Sequence, residues 1–231
     1  GTTLEAIAGE KAGIIKPNTP VVIGETQLET EVVFRTKATK VQAPIYFADQ
    51  RIENTLPTSL KGTYQIHNVR TVLQTIAVLN VGAFTIPTEA IQLGLLKVAE
   101  NTGLRGRWED LGSFPTIICD TAHNREGLSL VFKQLQTEKF QRLHIVLGMV
   151  NDKDVLSLLE LFPKQAQYYF CKPNVPRGLE ASELAQIFTE HGFEGSLHTS
   201  VKDALKAAKQ SASHNDLIYV GGSTFVVAEI I

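Results

Sequence analysis

Four short stretches of this chain carry side chains suited to a phosphorylated ligand. Asp120 and His123 stand three residues apart after the apolar run Thr116 to Cys119. They can hydrogen-bond a sugar hydroxyl or hold a phosphate near the free N–H groups of a following helix. A helix cap with a satisfied histidine beside it accounts for the same spacing. Arg105-Gly106-Arg107 sets two guanidinium forks around a glycine, which suits bidentate phosphate contact at close range. Gly221-Gly222-Ser223-Thr224 can form a backbone nest for an anion, although a tight turn needs glycine for its own reasons. Asp152-Lys153-Asp154 puts a cation between two carboxylates, and a solvated helix start would look the same.

Lys11 is the sharpest anomaly. On a helix read from Thr2 to Lys16, Leu4, Ile7, Ala8 and Ile15 share one face with Lys11 in its middle. An ammonium there must snorkel, find a partner or lose its charge. A buried neutral amine can take up carbon dioxide as a carbamate, which ligates a hard cation such as magnesium. A snorkelling lysine is the other account.

The elements that position these residues follow from composition and period. The chain has 231 residues, 43% hydrophobic and 20% charged, enough to bury a core. Lys plus Arg is 22 against 24 for Asp plus Glu, net −2, so no broad basic field points to nucleic acid. No apolar run approaches the ~20 residues of a membrane span, and no signal-peptide pattern opens the chain, so a cytoplasmic protein is expected. Cys119 and Cys171 lack C-x-x-C spacing, which argues against a disulfide scaffold or zinc knuckle. Gly1 runs straight into a helical pattern, so a piece of a longer chain is expected.

Pro20 to Gly24 and Pro44 to Ala48 read as strands. Glu29 to Val41, Gln65 to Asn80 and Pro87 to Glu100 read as helices, the second with Ile66, Val69, Leu73, Ile76 and Ala77 on one face. After Asn101-Thr102-Gly103 short apolar runs alternate regularly with amphipathic stretches. Strands are expected at 116–119, 143–147, 168–171, 196–198 and 217–220. Helices are expected at 126–138, 155–162, 181–190, 201–212 and 225–231. This is an α/β pattern, a doubly wound parallel sheet, to which Arg107 to Leu111 adds an antiparallel edge strand. In such sheets ligands bind beyond the carboxyl ends of the strands, where Asp120 to Asn124, Gly148 to Asp154, Lys172-Pro173 with Arg177-Gly178, and Gly221 to Thr224 fall.

The ordered stretches TLEAIAGEKAGIIKP (3–17), GTYQIHNVRTVLQTIAVL (62–79), LRGRWE (104–109), ICDTAHNREGL (118–128), LGMVNDKD (147–154) and GGSTFVVAE (221–229) resemble one family closely. It is that of the folylpolyglutamate synthases and dihydrofolate synthases, in the Mur ligase superfamily. The resemblance implies an ATP-dependent ligase that adds L-glutamate to folate or dihydropteroate through an acyl phosphate, with ATP and magnesium (Mg2+) as cofactors. It implies that residues 1–103 are the tail of the ATP-binding central domain and 104–231 a Rossmann-like C-terminal domain with a six-stranded, mostly parallel sheet.

Residue by residue, Lys11 matches a lysine that is carbamylated in the family and helps organise magnesium. Asn68 matches an adenine contact, with Gln65 beside it in the same motif, and Arg107 matches an arginine on the ATP phosphates. Asp120 and His123 match a nucleotide-contacting pair. Asp152 and Lys153 match a loop assigned to the glutamate side. A G-x-x-x-x-G-K-S phosphate loop is absent from the 231 residues. The expected partner is therefore the missing N-terminal part of the enzyme, and the fragment alone is expected to be inactive. Two other readings share the architecture. One is a Mur ligase acting on a nucleotide-sugar carboxylate, which the Y-Q-I-H-N and L-G-M-V-N-D-K-D stretches disfavour. The other is a non-catalytic Rossmann-like interaction module.

Overall fold

The structure, a computed structural model, describes residues 3–82, 84–151 and 154–231. It divides into two compact units, one of Gly1–Ser59 with Tyr64–Asn101 and the other of Leu60–Thr63 with Thr102–Ile231.

In the first unit, α1 (Leu4–Ala12), β1 (Val21–Ile23), α2 (Leu28–Lys40), β2 (Ile45–Phe47) and the short α3 (Ala48–Arg51) precede the long α4 (Gln65–Val81). Then come α5 (Thr88–Leu96) and α6 (Val98–Thr102). The two strands pair in parallel. A small core joins Ala12, Ile15, Ala38 and Ala43, with Val33, Phe34 and Ile45 packed on it. Thr3 caps α1, its Oγ1 accepting the Ala6 N–H at 3.2 Å.

Three expectations change here. The first helix stops at Ala12, and its buried positions are Ala8 and Ala12, with Leu4 44% and Ile7 38% exposed. Small alanines let α1 and α2 approach closely, so the large side chains and Lys11 lie outside that contact, and Lys11 is exposed. On α4 the buried stripe is also rotated: Val69 is buried, Leu73 and Ile76 are half-buried, and Ile66 and Ala77 are exposed. The helix expected from 87 to 100 breaks at Lys97 into α5 and α6.

The second unit holds β3 (Glu109–Ser113), β4 (Thr116–Cys119), α7 (Arg125–Leu135), β5 (Leu143–Leu147), β6 (Gln167–Phe170), α8 (Ala181–Glu190), β7 (Gly195–Leu197), α9 (Val201–Ser211), β8 (Leu217–Gly221) and α10 (Thr224–Ala228). One six-stranded sheet runs β3-β4-β8-β5-β6-β7, parallel except for the antiparallel edge strand β3. Alternation along the strands feeds two apolar layers. Ile118, Ile145, Tyr168, Phe170, Leu217 and Tyr219 pack with Leu128, Phe132, Leu184 and Phe188 on one side. Cys119, Val146, Tyr169, Ile218 and Val220 pack with Val201, Ala204, Ala208 and Val226 on the other. Helices on both sheet faces make a three-layer α/β/α unit. The stretch expected as an α-helix over 155–162 is a 3-10 helix, Leu156–Leu161, of two turns, ending just before Pro163.

At the amino edge of the sheet a buried polar cluster closes the loops. Asp216 accepts the Ser213 N–H at 2.7 Å, the Arg142 N–H at 3.0 Å and the His144 Nε2 proton at 3.4 Å, while His144 Nδ1 meets the Tyr169 hydroxyl at 3.0 Å. Burial alone would raise the Asp216 carboxyl, but the hydrogen bonds from Ser213, His144 and Arg142 outweigh it and hold it below the usual range. A carboxyl lower in the folded than in the unfolded chain stabilises fully above its unfolded value and loses that contribution as pH falls through the folded one. Asp216→Asn is expected to flatten the acid limb of a stability-against-pH curve from urea melts. An unchanged acid limb would show that other carboxyls set it.

Cys119 and Cys171 are both buried and unpaired. Desolvation chiefly pushes each thiol up to about 12, helped at Cys119 by the Glu109 and Asp120 charges and at Cys171 by Glu229. Neither is a nucleophile at neutral pH. In native protein at pH 8 both are expected to react with an aromatic disulfide reagent only at the rate of unfolding, and rapidly once denaturant is added.

Candidate functional site

The parallel strands β4, β8, β5 and β6 all deliver their following loops to one edge of the sheet. Backbone contacts join these loops to one another. Gly148 N–H donates to the Gly221 carbonyl at 3.4 Å, Asn151 N–H to Arg177 at 2.9 Å and Leu179 N–H to Met149 at 2.9 Å. A Cβ on Gly222, at φ +89°, would meet Leu147 Cδ1 at 2.5 Å and the Gly148 carbonyl at 2.8 Å, so that turn needs glycine on both counts. Ser223 caps α10 through the Phe225 N–H at 3.2 Å, and Arg177 lies over the Phe225 ring at 4.9 Å. The glycine stretch thus serves the turn and the packing of the loops.

Asp120 follows β4 directly and is 2% exposed. Its Oδ2 accepts the Trp108 N–H at 2.7 Å and its Oδ1 the Ala122 N–H at 2.8 Å. One carboxylate therefore fastens the Arg-Gly-Arg-Trp-Glu turn to the loop carrying His123. The Thr121 N–H adds a bond to the Gly106 carbonyl at 3.0 Å. Arg107 projects exposed from this turn, and among the described residues no hydrogen bond or ion pair engages its guanidinium. Its neighbour Arg105 is instead paired with Glu109. His123 is exposed, with Nδ1 3.0 Å from the Thr121 carbonyl. A carbonyl only accepts, so Nδ1 carries the proton and Nε2 is left for a ligand, as acceptor when the ring is neutral and as donor when it is charged. Asn124 caps α7 by accepting the Gly127 N–H at 2.9 Å.

Of the residues expected in the site, the second unit therefore brings Arg107, Asp120 and His123 onto two segments that Asp120 ties together. In the first unit, Gln65 and Asn68 sit one helical turn apart on α4. Asn68 Nδ2 donates to Gln65 Oε1 at 2.9 Å, Gln65 being buried and Asn68 exposed. Gln65 thereby orients an amide whose remaining N–H and oxygen form a donor–acceptor pair. Lys11 is exposed in the last turn of α1, without the apolar enclosure its helical wheel suggests. Asp152 and Lys153 lie outside the described residues. Among the described residues no three His, Cys, Asp or Glu side chains gather as a metal-ligand set. Glu109, outside the expected site, also belongs to the Arg107 turn, and its place three residues after Gly106 is the spacing at which a carboxylate reaches back to a backbone N–H.

Replacing Asp120 by Ala leaves the Trp108 and Ala122 N–H groups without their acceptor in a buried place. A loss of about 2–4 kcal/mol is expected in urea unfolding of the chain. A loss below about 0.5 kcal/mol would mean that water replaces the carboxylate there.

Residues 106–224 match the family described as Mur ligase, glutamate ligase domain. A dihydrofolate synthase/folylpolyglutamate synthase of Bacillus subtilis is 26% identical over 259 aligned residues, which take in 100% of this chain and 58% of that protein. The structure is also similar to a bifunctional folylpolyglutamate synthase/dihydrofolate synthase of Yersinia pestis complexed with AMPPNP and Mn. That likeness has a TM-score of 0.79 at 25% identity, covering 100% of this chain and 56% of the other. A further synthase of that name, with Mn, AMPPNP and L-glutamate bound, gives a TM-score of 0.82 at 26% identity over 100% and 57%. The chain spans little more than half the length of these relatives. No described helix is long and apolar enough to cross a membrane. With more than half of its 231 residues inside the family match, and the family's sheet beneath that match, the chain belongs to the Mur ligases and carries their glutamate ligase domain.

Proposed function

We propose that this chain is the later part, from within the central domain onward, of an ATP-dependent ligase that joins L-glutamate to folate, dihydropteroate or both. The observation that carries this reading is the Arg107 turn: an exposed, uncommitted guanidinium on a stretch of backbone tied through Asp120 to the His123 loop at the carboxyl edge of the sheet. Relatives bearing a synthase name and bound AMPPNP, Mn and L-glutamate give it its substrate class.

In this reading residues 1–103 complete the nucleotide-binding domain and 104–231 form the glutamate ligase domain. Acyl transfer from carboxylate to amine needs a leaving group, which ATP supplies by phosphorylating the carboxylate. Negative charge develops on the transferring phosphoryl oxygens, and a cation fixed beforehand stabilises it without reorganising. Arg107 is that cation, presenting two parallel N–H donors to phosphate oxygens. His123 Nε2 meets the nucleotide from the same side, while the Asn68 amide, oriented by Gln65, offers adenine a matching donor and acceptor. Asp120 acts at this site through the two segments it fastens. Asp152 and Lys153 are assigned to the glutamate side, where an amine and two carboxylates call for both signs of charge.

Magnesium, when bound with ATP, would screen the charge of the phosphates that Arg107 faces. Lys11 keeps its role as a carbamylated magnesium ligand on the strength of the EKAGI motif alone, since its surroundings here are open. Because the 231 residues contain no G-x-x-x-x-G-K-S loop, the chain by itself is expected to be inactive.

The test is glutamate-dependent ATP hydrolysis with dihydropteroate or folate present, by the full-length natural protein beside this chain. Turnover is expected in the former and none in the latter, with Lys11→Ala and His123→Ala each lowering it by about 100-fold or more. Turnover only with a nucleotide-sugar acceptor would move the protein to the other Mur branch. Binding without any turnover would leave an interaction module.

A further inference from the structure

We infer that Glu109 is a positioning residue for Arg107, working on nucleotide affinity without touching the nucleotide. The inference rests on the reading that Arg107 binds phosphate.

The turn that carries Arg107 is an unusual stretch of backbone. Gly106 on one side has φ +70° and Trp108 on the other φ +47°. Glycine adopts that region freely, but a tryptophan there is strained and must be held from outside. Asp120 holds it, through the Trp108 N–H, and the ring is 4% exposed, packed into the core. Gly106 is confined from behind, where a Cβ would meet Val227 Cγ1 at 2.8 Å and Thr121 Cγ2 at 2.9 Å.

Glu109 closes the remaining side. It is the first residue of β3, in register with Cys119, and its side chain folds back over the turn. Its Oε2 accepts the Gly106 N–H at 2.7 Å, and its Oε1 accepts the Nε proton of Arg105. These two contacts have separate consequences. The first pins the residue before Arg107, as Asp120 pins the residue after it, so that the backbone of Arg107 is fixed at both neighbours. The second commits Arg105 to an ion pair, which leaves one uncommitted guanidinium in the Arg-Gly-Arg stretch rather than two. A donor carried on a pinned backbone has less conformational freedom left to lose on binding than one on a mobile turn, so the affinity for phosphate rises without a further contact.

The test uses the full-length natural protein and compares ATP with adenosine by calorimetry in wild type, Arg107→Ala, Glu109→Ala, Glu109→Gln and the double variants. Arg107→Ala is expected to weaken ATP by roughly 10- to 100-fold, and Glu109→Ala by about 10-fold, with adenosine binding unchanged in both. Glu109→Gln keeps an acceptor for the Gly106 N–H and is expected to recover most of the loss. In the Arg107→Ala background either change at Glu109 is expected to do nothing more, because a residue acting through another has no effect once that other is gone.

If Arg107→Ala leaves ATP affinity unchanged, the phosphate reading of Arg107 falls and this inference with it. If Arg107→Ala weakens ATP but Glu109→Ala does not, or weakens it equally in the Arg107→Ala background, Glu109 does not act through Arg107 and only this inference is overturned. Should Glu109→Ala fail to fold, the same comparison is made with Glu109→Asp, which keeps the charge but is one methylene too short to reach both partners.

Discussion

The buried carboxylate of Asp120 is the constraint on which the carboxyl edge of this sheet depends. Asp120 is almost fully enclosed, and its two carboxylate oxygens accept the backbone N–H groups of Trp108 and Ala122. Burying an ionised group is costly unless it is hydrogen-bonded, so the two segments that supply those N–H groups cannot drift from it. One segment is the Arg107 turn and the other begins the His123 loop. The same interaction that makes the carboxylate tolerable in the interior therefore fixes the separation of the two exposed side chains the ligase reading uses.

The rest of the edge follows the same logic at lower stakes. The loops after β5, β6 and β8 are joined by backbone hydrogen bonds and by glycines with no room for a side chain. Beneath them the strands alternate strictly between two apolar layers, so none can slip by one residue without placing its core set on the wrong face. At the opposite edge the Asp216, His144 and Tyr169 cluster satisfies its own buried polar atoms and ties the loop before β8 to the start of β5. A sheet held at both edges is a stiff base for a site made of loops.

Each unit carries its own set of oriented polar groups. The first unit supplies an oriented amide pair, Gln65 and Asn68, suited to a flat heterocycle. The second supplies an uncommitted cation on a pinned turn and an imidazole nitrogen, both suited to anionic and hydroxyl groups.

The sequence by itself determined the α/β class, the parallel strands, the antiparallel edge and the motifs that place the chain among the Mur ligases. Those features rest on local patterns, namely a two-residue period, apolar runs between turns, and ordered stretches of residues. What it could not decide is which face of a helix is buried and which polar atom answers which. On α1 the wheel drew attention to Leu4, Ile7 and Lys11, but the contact with α2 selects the small Ala8 and Ala12, because close approach of two helices depends on the partner's shape. That Asp120 clamps the Arg107 turn is invisible in the sequence, since its partner Trp108 is 12 residues away and reaches it only through the pairing of β3 with β4. Glu109 drew no notice for a related reason. A carboxylate beside two arginines reads as one more surface charge until the backbone turns left-handed at Gly106 and Trp108 and brings the Gly106 N–H back onto it. Residue types and periods act along the chain, whereas hydrogen bonding in the interior is settled by what folding brings within 3 Å, and that only the tertiary structure decides.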